Sequence, residues 1–412
     1  MQTEVLSPSQ SVFEEKEFFA NFVEKRSWEP GWLADYRIDR WNSIEDFRNS
    51  SSKNENWRFS PQSRFSPSKI NEVSSSKDLI QLSPETSNQT IFREFNRVIL
   101  DSPTELTDIT KHHGPNLGSL LFNDLTTALF DSGYFLKSET NTVIPELLHV
   151  HHYMPEADKV VFRRNFIELS PFSEVTLVEF IENHESSPQG GFFSNLLHAE
   201  IGEGATLNRI IVQDSCTNST IHQLEHFAIG QNAKVKNISI HLGSAQTRNE
   251  IKGELLQSGG EFENFSLNLG HDEQLFDQRT MQCHNAPNCR SNLITKNALN
   301  DDAKSIFSGM IKVLPSAANT NAYQTNRNLL LSNQAEADSL PGLEILANEV
   351  KCSHGATTSR IDEDELFYLL SRGISKKSAE KLLSLGFLEE IIEKVDHDEL
   401  ANKIREKIES RF

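Results

Sequence analysis

The 412-residue sequence contains no apolar run approaching the roughly 20 residues that a membrane-spanning helix needs. Cysteine is scarce. The four residues, at 216, 283, 289 and 352, give no disulfide framework for a chain of this length, so a reducing cytoplasm is the expected compartment. Basic charge is also short: 40 Lys and Arg stand against 59 Asp and Glu, a formal net charge of −19. That balance argues against a nucleic-acid surface and suits a soluble protein that meets other proteins. The opening Met-Gln-Thr-Glu-Val-Leu-Ser-Pro lacks the charged-then-apolar pattern of a secretory signal, and its acid does not suit a transit peptide. No Gly-x-x-x-x-Gly-Lys-Ser/Thr loop occurs, and Ser258-Gly-Gly260 reads as a turn, so any use of ATP falls to a partner.

What is present is a repeat. Ser173-x-Val-x-Leu-Val-x-Phe180, Ala205-x-Leu-x-Arg-Ile-x-Val212, Ala233-x-Val-x-Asn-Ile-x-Ile240 and Gly260-x-Phe-x-Asn-Phe-x-Leu267 share one frame. Ile201-Gly-Glu-Gly204 and Ile229-Gly-Gln-Asn232 supply matching turns. A unit of this kind cannot bury its own apolar residues, so successive units must stack. A period near 28 fits one coil of a parallel β-solenoid; it is too long for six-residue repeats and lacks the helical half of leucine-rich repeats. Less regular coils are expected through Ile306–Met310, Asn328–Leu331 and Leu343–Val350.

Helices are expected at both ends. Residues 12–47 carry aromatic stripes, with Phe13, Phe18, Phe19 and Phe22 before the Glu29-Pro-Gly31 break and Trp32, Leu33, Trp41 and Phe47 after it. Ser-, Asn- and Pro-rich stretches at 49–55 and 60–76 read as linkers, and Asn116–Asp131 reads as a helix. At the other end Asp362 is an N-cap with Glu365 three residues on, and Gly373 breaks that helix. Ser375 restarts the pattern, Gly386 is expected to end it, and Ile391 to Ile408 continue an amphipathic stretch. The expected fold is mainly β: a right-handed parallel β-helix over 133–358, with helical regions at 1–132 and 359–412.

Candidate chemistry is thin. Cys352-x-His354 places a thiol and an imidazole on one face of an extended segment, both suited to iron–sulfur chemistry. The bland reading is a buried thiol that acts as a small hydrophobe beside a turn histidine. Two ligands cannot hold a cluster whose irons usually need about four, so the rest would come from another chain. Cys283-His-Asn-Ala-Pro-Asn-Cys289 is looser than a zinc knuckle and has no second pair. In His149-Val-His-His152, His149 and His151 share a strand face without a cysteine nearby. Cys216 sits in a polar turn. A polysaccharide-cleaving solenoid would need paired carboxylates, and Asp301-Asp302, the best pair, would face opposite ways on a strand.

Lys351-Cys-Ser-His-Gly-Ala-Thr-Thr-Ser-Arg-Ile361, followed by Leu366-Phe-Tyr-x-x-Ser-Arg-Gly-Ile374, resembles the SufB/SufD family of iron–sulfur cluster assembly proteins. Trp28-Glu-Pro-Gly-Trp-Leu33, Glu55-Asn-Trp-Arg-Phe59 and the Phe122–Gly133 stretch are also similar to it. Ser353-His354-Gly355 is similar to the SufD branch, whereas SufB usually reads Glu-His-Glu there. Where SufB usually carries a cysteine about one coil earlier, this chain has Thr325.

The resemblance implies a non-catalytic scaffold that pairs with a SufB-like protein through the β-helix. His354 would then contribute to an assembly site at that interface, as a transient metal ligand, with Cys352 beside it. It also implies that Glu363 to about Ile392 docks an ABC-type ATPase, SufC, through Glu363, Phe367, Tyr368, Arg372, Gly373 and Ile374. A nascent iron–sulfur cluster would be held only transiently, and no cofactor is expected to stay on the isolated chain. A flavin associated with the assembled complex cannot be placed on any residue. Neither nucleic acid nor membrane is an expected partner. The alternative is a SufB-like role in which a homodimer receives sulfur.

Overall fold

The computed structural model describes residues 11–15, 17–44, 55–60, 70–74, 80–83, 90–112, 114–183 and 190–412. Phe47 and most of the two expected linkers lie outside them.

Two sheets run the length of the molecule. In chain order the first strands are β1 (Glu72–Val73), β2 (Ile80–Ser83), β3 (Thr90–Glu94), β4 (Tyr134–Ser138), β5 (Leu148–Tyr153), β6 (Lys159–Leu169) and β7 (Glu174–Glu182). Next come β8 (Phe192–Ile201), β9 (Thr206–Asp214), β10 (Thr220–Ile229), β11 (Lys234–His241), β12 (Gln246–Leu255) and β13 (Glu261–Gly270). The last are β14 (Leu275–His284), β15 (Arg290–Leu299), β16 (Lys304–Val313), β17 (Asn321–Leu330), β18 (Glu336–Ile345) and β19 (Lys351–Arg360). The first sheet runs β3-β4-β6-β8-β10-β12-β14-β16-β18, with β1 beside β6; the second runs β2-β5-β7-β9-β11-β13-β15-β17-β19. From β4 onward all pairings between coils are parallel, and consecutive strands alternate between sheets, so the chain is a parallel β-solenoid.

The sequence repeat is the pitch of this solenoid. Thr206 pairs with Glu174, Lys234 with Thr206 and Glu261 with Lys234, each one residue after the start of a repeat unit. The turn before each second-sheet strand from β7 onward contains a left-handed residue: Phe172, Gly204, Asn232, Gly259, Asn288, Asn319 and Glu349. Glycine and asparagine tolerate that conformation best, which is why Gly204 and Asn232 stood out as matching turns.

The repeat also explains an irregularity in its own hydropathy. Val235 points into the lumen, yet Ile238 and Ile240, out of phase with it, point outward. The same shift occurs at Leu207 against Ile210 and Val212, and at Phe262 against Phe265 and Leu267. Each strand is therefore covered on its lumen side near one end and on its outer side near the other, as a sheet buried on both faces requires. Where the outer face is apolar, the lumen is polar. Arg209 donates to Glu225 at 2.8 Å and to Asn237 at 2.9 Å, Asn237 donates to Asn264 at 3.0 Å, and Tyr134 donates to Glu179 at 2.9 Å. Arg209 also pairs with Glu179. Burial favours the neutral form of both glutamates; Arg209 and His152 overcome it at Glu179, held down to about 2, but not at Glu225, which stays raised.

Helices supply the outer covering. α1 (Phe18–Glu24), α2 (Gly31–Asn42), α3 (Phe95–Asp101) and α4 (Leu120–Leu129) gather on the first sheet. Phe122 and Leu125 of α4 pack there with Phe162, Phe192, Leu196 and Leu224. The N-terminal region is not purely helical, because β1 to β3 join the two sheets and β2 and β3 pair antiparallel with β5 and β4. Glu72 and Val73, within the expected linker, are strand β1.

At the other end α5 (Glu363–Ser371), α6 (Lys376–Ile392) and α7 (Asp398–Glu409) follow the last strand. Leu388, Ile391 and Ile392 of α6 and Leu400, Ala401, Ile404 and Ile408 of α7 close over the outward row of the second sheet. Lys296 ties α6 down through the Phe387 carbonyl and Glu390, both at 2.6 Å. Gly386 does not end its helix: α6 runs through it to Ile392. A mid-helix glycine costs about 1 kcal/mol against alanine, less than the burial of Leu388, Ile391 and Ile392 returns. Helices α6 and α7 lie along the side of the solenoid rather than over its open end.

Candidate functional site

The open end is built by β18 and β19, each the last strand of its sheet with one edge unpaired among the described residues. Parallel pairing places Cys352 over Ala322 and His354 over Gln324. Ala322 and Gln324 are buried lumen residues, so Cys352 and His354 share the lumen-facing row, as their spacing predicts. Across the lumen stand Leu343 and Ile345 of β18, in register with Ile311 and Val313 and exposed because no further coil covers them.

The floor beneath His354 is polar. Gln324 Nε2 donates across the lumen to the Gly309 carbonyl at 3.2 Å, while Gln324 Oε1 and Asn326 Nδ2 have no hydrogen-bond partner among the described residues. His354 itself is exposed. Cys352 is half-buried against Ile311, Val313, Ala317 and Ala322, and burial pushes its thiol up from the ordinary value. In the free chain it is therefore a protonated thiol packed as a small hydrophobe. Thr325 lies in the same two-strand ladder, paired with Gly355.

α5 begins two residues after β19. Asp362 caps it by accepting from Asp364 N at 2.9 Å and Glu365 N at 3.1 Å. A Schellman turn ends it, with Gly373 N donating to Leu370 at 2.9 Å, Ile374 N donating to Leu369 at 3.3 Å, and Gly373 at φ +84°. None of its residues is buried; Phe367 is 70% and Tyr368 56% exposed, and the Arg372 guanidinium lies 4.9 Å from the Tyr368 ring centre. Glu363 and Gly373 are likewise exposed and Ile374 is half-buried. The expected docking segment therefore divides: α5 is free, whereas the later part of α6 is already packed on the second sheet.

The remaining sequence candidates separate. Cys283 donates to Asn285 at 3.0 Å and Cys289 to the Gln257 carbonyl at 3.2 Å, and burial raises both thiols, so the two behave as packed cysteines. His149 and His151 do share an outward face, where His151 meets Glu182 at 2.7 Å and His149 stacks on Phe180. His152 points inward and joins Glu179 at 3.0 Å. Asp301 and Asp302 sit in a turn rather than on a strand. Cys216 also lies in a turn, its N–H donating to Asn183 at 3.2 Å. A cluster that the sequence reading missed is His112, His198 and Glu200, brought together on the outside of the first sheet. The available signal was His198-x-Glu200, a same-face strand pair with the spacing of Cys352-x-His354.

Residues 152–387, more than half of the chain and nearly all of the coils, match the SufBD core domain of the SUF system for FeS cluster assembly. The chain belongs to the SufB/SufD family. Within it the chain is SufD-like. It is 25% identical to the iron–sulfur cluster assembly protein SufD of Bacillus subtilis over 96% of this chain and 98% of that protein. It is 30% identical to SufD of Escherichia coli over 60% of this chain and 58% of that protein. A SufBD family protein of Mycobacterium tuberculosis is 28% identical over 68% of this chain and 71% of its own length. The SufBD match takes in the open end of the solenoid, α5 and most of α6.

Proposed function

We propose that this SufD-like chain is a non-catalytic scaffold of iron–sulfur cluster assembly, pairing through its last coil with a SufB-like protein. The observation that carries this reading is the bare end: two ten-residue edge strands with apolar Leu343, Ile345 and Leu346 exposed beside them. A long unprotected edge invites another strand, and a solenoid end that keeps one uncovered is shaped to continue into a second solenoid. His354 would then lie in the joint, where a partner could complete the ligand set that one chain lacks. Thr325 supplies no thiol, which favours the SufD-like role over a sulfur-accepting homodimer.

Exposed, amphipathic α5 fits a docking element for the ATPase SufC. Its tether is short, with β19 ending at Arg360 and α5 starting at Glu363. ATP-driven movement of that partner would pull directly on the strand that carries His354 and open the joint.

Co-purification with SufB-like and SufC-like partners, followed by anaerobic iron and sulfide reconstitution, tests the reading. The ternary complex should hold a cluster that the isolated chain does not, and His354→Ala should abolish cluster formation with the complex intact. Normal assembly by that variant would remove His354 from the mechanism, and failure to bind either partner would remove the scaffold role.

A further inference from the structure

His112 ends the 3-10 helix Pro103–Lys111, which belongs to the N-terminal covering. Its ring stacks on that of His198 in β8 at 3.9 Å, the planes 18° apart. Glu200, two residues along the same strand face, puts one oxygen, Oε1, 3.4 Å from His112 Nδ1 and 3.5 Å from His198 Nε2. His198 is 4% exposed, and neither of its ring nitrogens makes a hydrogen bond among the described residues. Buried imidazoles normally satisfy at least one nitrogen; here the nearest acceptor is the Glu200 oxygen, at the 3.5 Å limit from Nε2. Among the described residues this is the one group of three or more His, Cys, Asp or Glu whose ligand atoms all lie within 4.8 Å of one another.

We propose that His112, His198 and Glu200 bind a divalent first-row transition ion, zinc or iron(II), on the outside of the solenoid. Two neutral imidazoles and a carboxylate with an open side are a ligand set for these ions. Donor atoms about 2.05 Å from a tetrahedral ion stand about 3.3 Å apart, close to the two spacings from Glu200. A neutral imidazole offers one ring-nitrogen lone pair to an ion, so each ring can supply one donor. The stacked rings must fan apart to aim at one ion. His112, at a helix end and 18% exposed, has room to turn. Glu200 is half-exposed and leaves the fourth position to water.

One neighbour opposes a cation: the Arg164 guanidinium, which donates to the His112 carbonyl at 3.0 Å. Glu200 itself offsets it; Asp108 also acts on both His112 and Glu200 but is already paired with Lys111 at 2.5 Å. The neighbouring His226 is already engaged by Glu254 at 2.6 Å. The ion would clip the N-terminal covering to β8, a role independent of cluster assembly at the open end.

The test is calorimetric titration of the metal-free full-length chain with zinc, and separately with iron(II) under anaerobic conditions, alongside the visible spectrum of the cobalt(II) form. One ion per chain is expected, without a thiolate charge-transfer band, and with affinity unchanged in Cys352→Ser/His354→Ala. Glu200→Gln and His112→Gln, both at accessible positions, should each weaken binding at least tenfold, and the metal should raise Tm only where both residues are intact. Competition between the ions identifies the occupant, with zinc expected to win. Undiminished binding in those two variants, a thiolate band, or no binding of either ion would overturn the site.

Discussion

The middle coils and the final coil are made of the same strand pairs but finished differently. Between β7 and β15 each second-sheet strand has a lumen row and an outer row, and both are covered, the first by neighbouring coils and the second by α6 and α7. In the final coil the lumen row of β19 is Cys352, His354, Ala356 and Thr358, with nothing above it among the described residues, and every residue of β19 except Cys352 is exposed. The difference shows up in residue size. Phe262, Phe265 and Leu267 of β13 fill space; Gly355, Ala356, Thr357 and Thr358 of β19 leave it open. Middle coils hold the fold, and the final coil leaves its edge and its lumen row uncovered among the described residues.

Substitutions in the two regions should therefore have opposite consequences. The largest stability loss is expected for Arg209→Leu, which leaves Glu179 and Glu225 buried without their shared cation. Removing one partner of such a network costs about 3–5 kcal/mol, read as a lowered denaturant midpoint. Acid should come next. Burial lowers His241 to about 3 and His284 to about 4. A base held below its unfolded value contributes stability that is full above about pH 6.5 and is lost as pH falls towards the folded value. Each of the two should withdraw about 1.4 kcal/mol by pH 5.5, and Glu179, depressed to about 2, should add its own loss below about pH 4.5. Melting temperature measured from pH 8 to pH 4 checks this; a flat profile down to pH 5 would contradict the neutral burial of these rings. The smallest effect belongs to the final coil and its helix. His354→Ala and Phe367→Ala should each shift stability by less than about 0.5 kcal/mol, while partner binding or cluster assembly fails. A large unfolding effect from either would erase the contrast.

Much of this was legible in the sequence. The unit starts at Ser173, Ala205, Ala233 and Gly260 coincide with the observed register, because stacking forces equivalent residues into one column. Asp362 and Gly373 marked the ends of α5 through purely local chemistry. The positions of α6 and α7 were not legible, since nothing local says which face an amphipathic helix will cover. A trace existed in the out-of-phase Ile238 and Ile240, whose outward apolar row demanded a cover. Gly386 misled because a local preference worth about 1 kcal/mol was overridden by burial on the second sheet. Cys352 and His354 could be placed on one face from their spacing alone. The His112 cluster could not be assembled that way, as His112 meets His198 only after the N-terminal covering folds onto β8.

The covering of the second sheet has a consequence in time. Its outward row runs from Val178 to Ala298, but the residues that hide it, Leu388 to Ile408, are synthesised after it. At roughly 5–20 residues per second, some ninety residues separate the last strand of that row from its cover by about 5–20 s. Throughout that interval the nascent chain carries a finished apolar strip with no helix to lie on it. Chains halted before α6 should keep their coils and aggregate through that strip, which stays open until α6 and α7 have emerged from the ribosome.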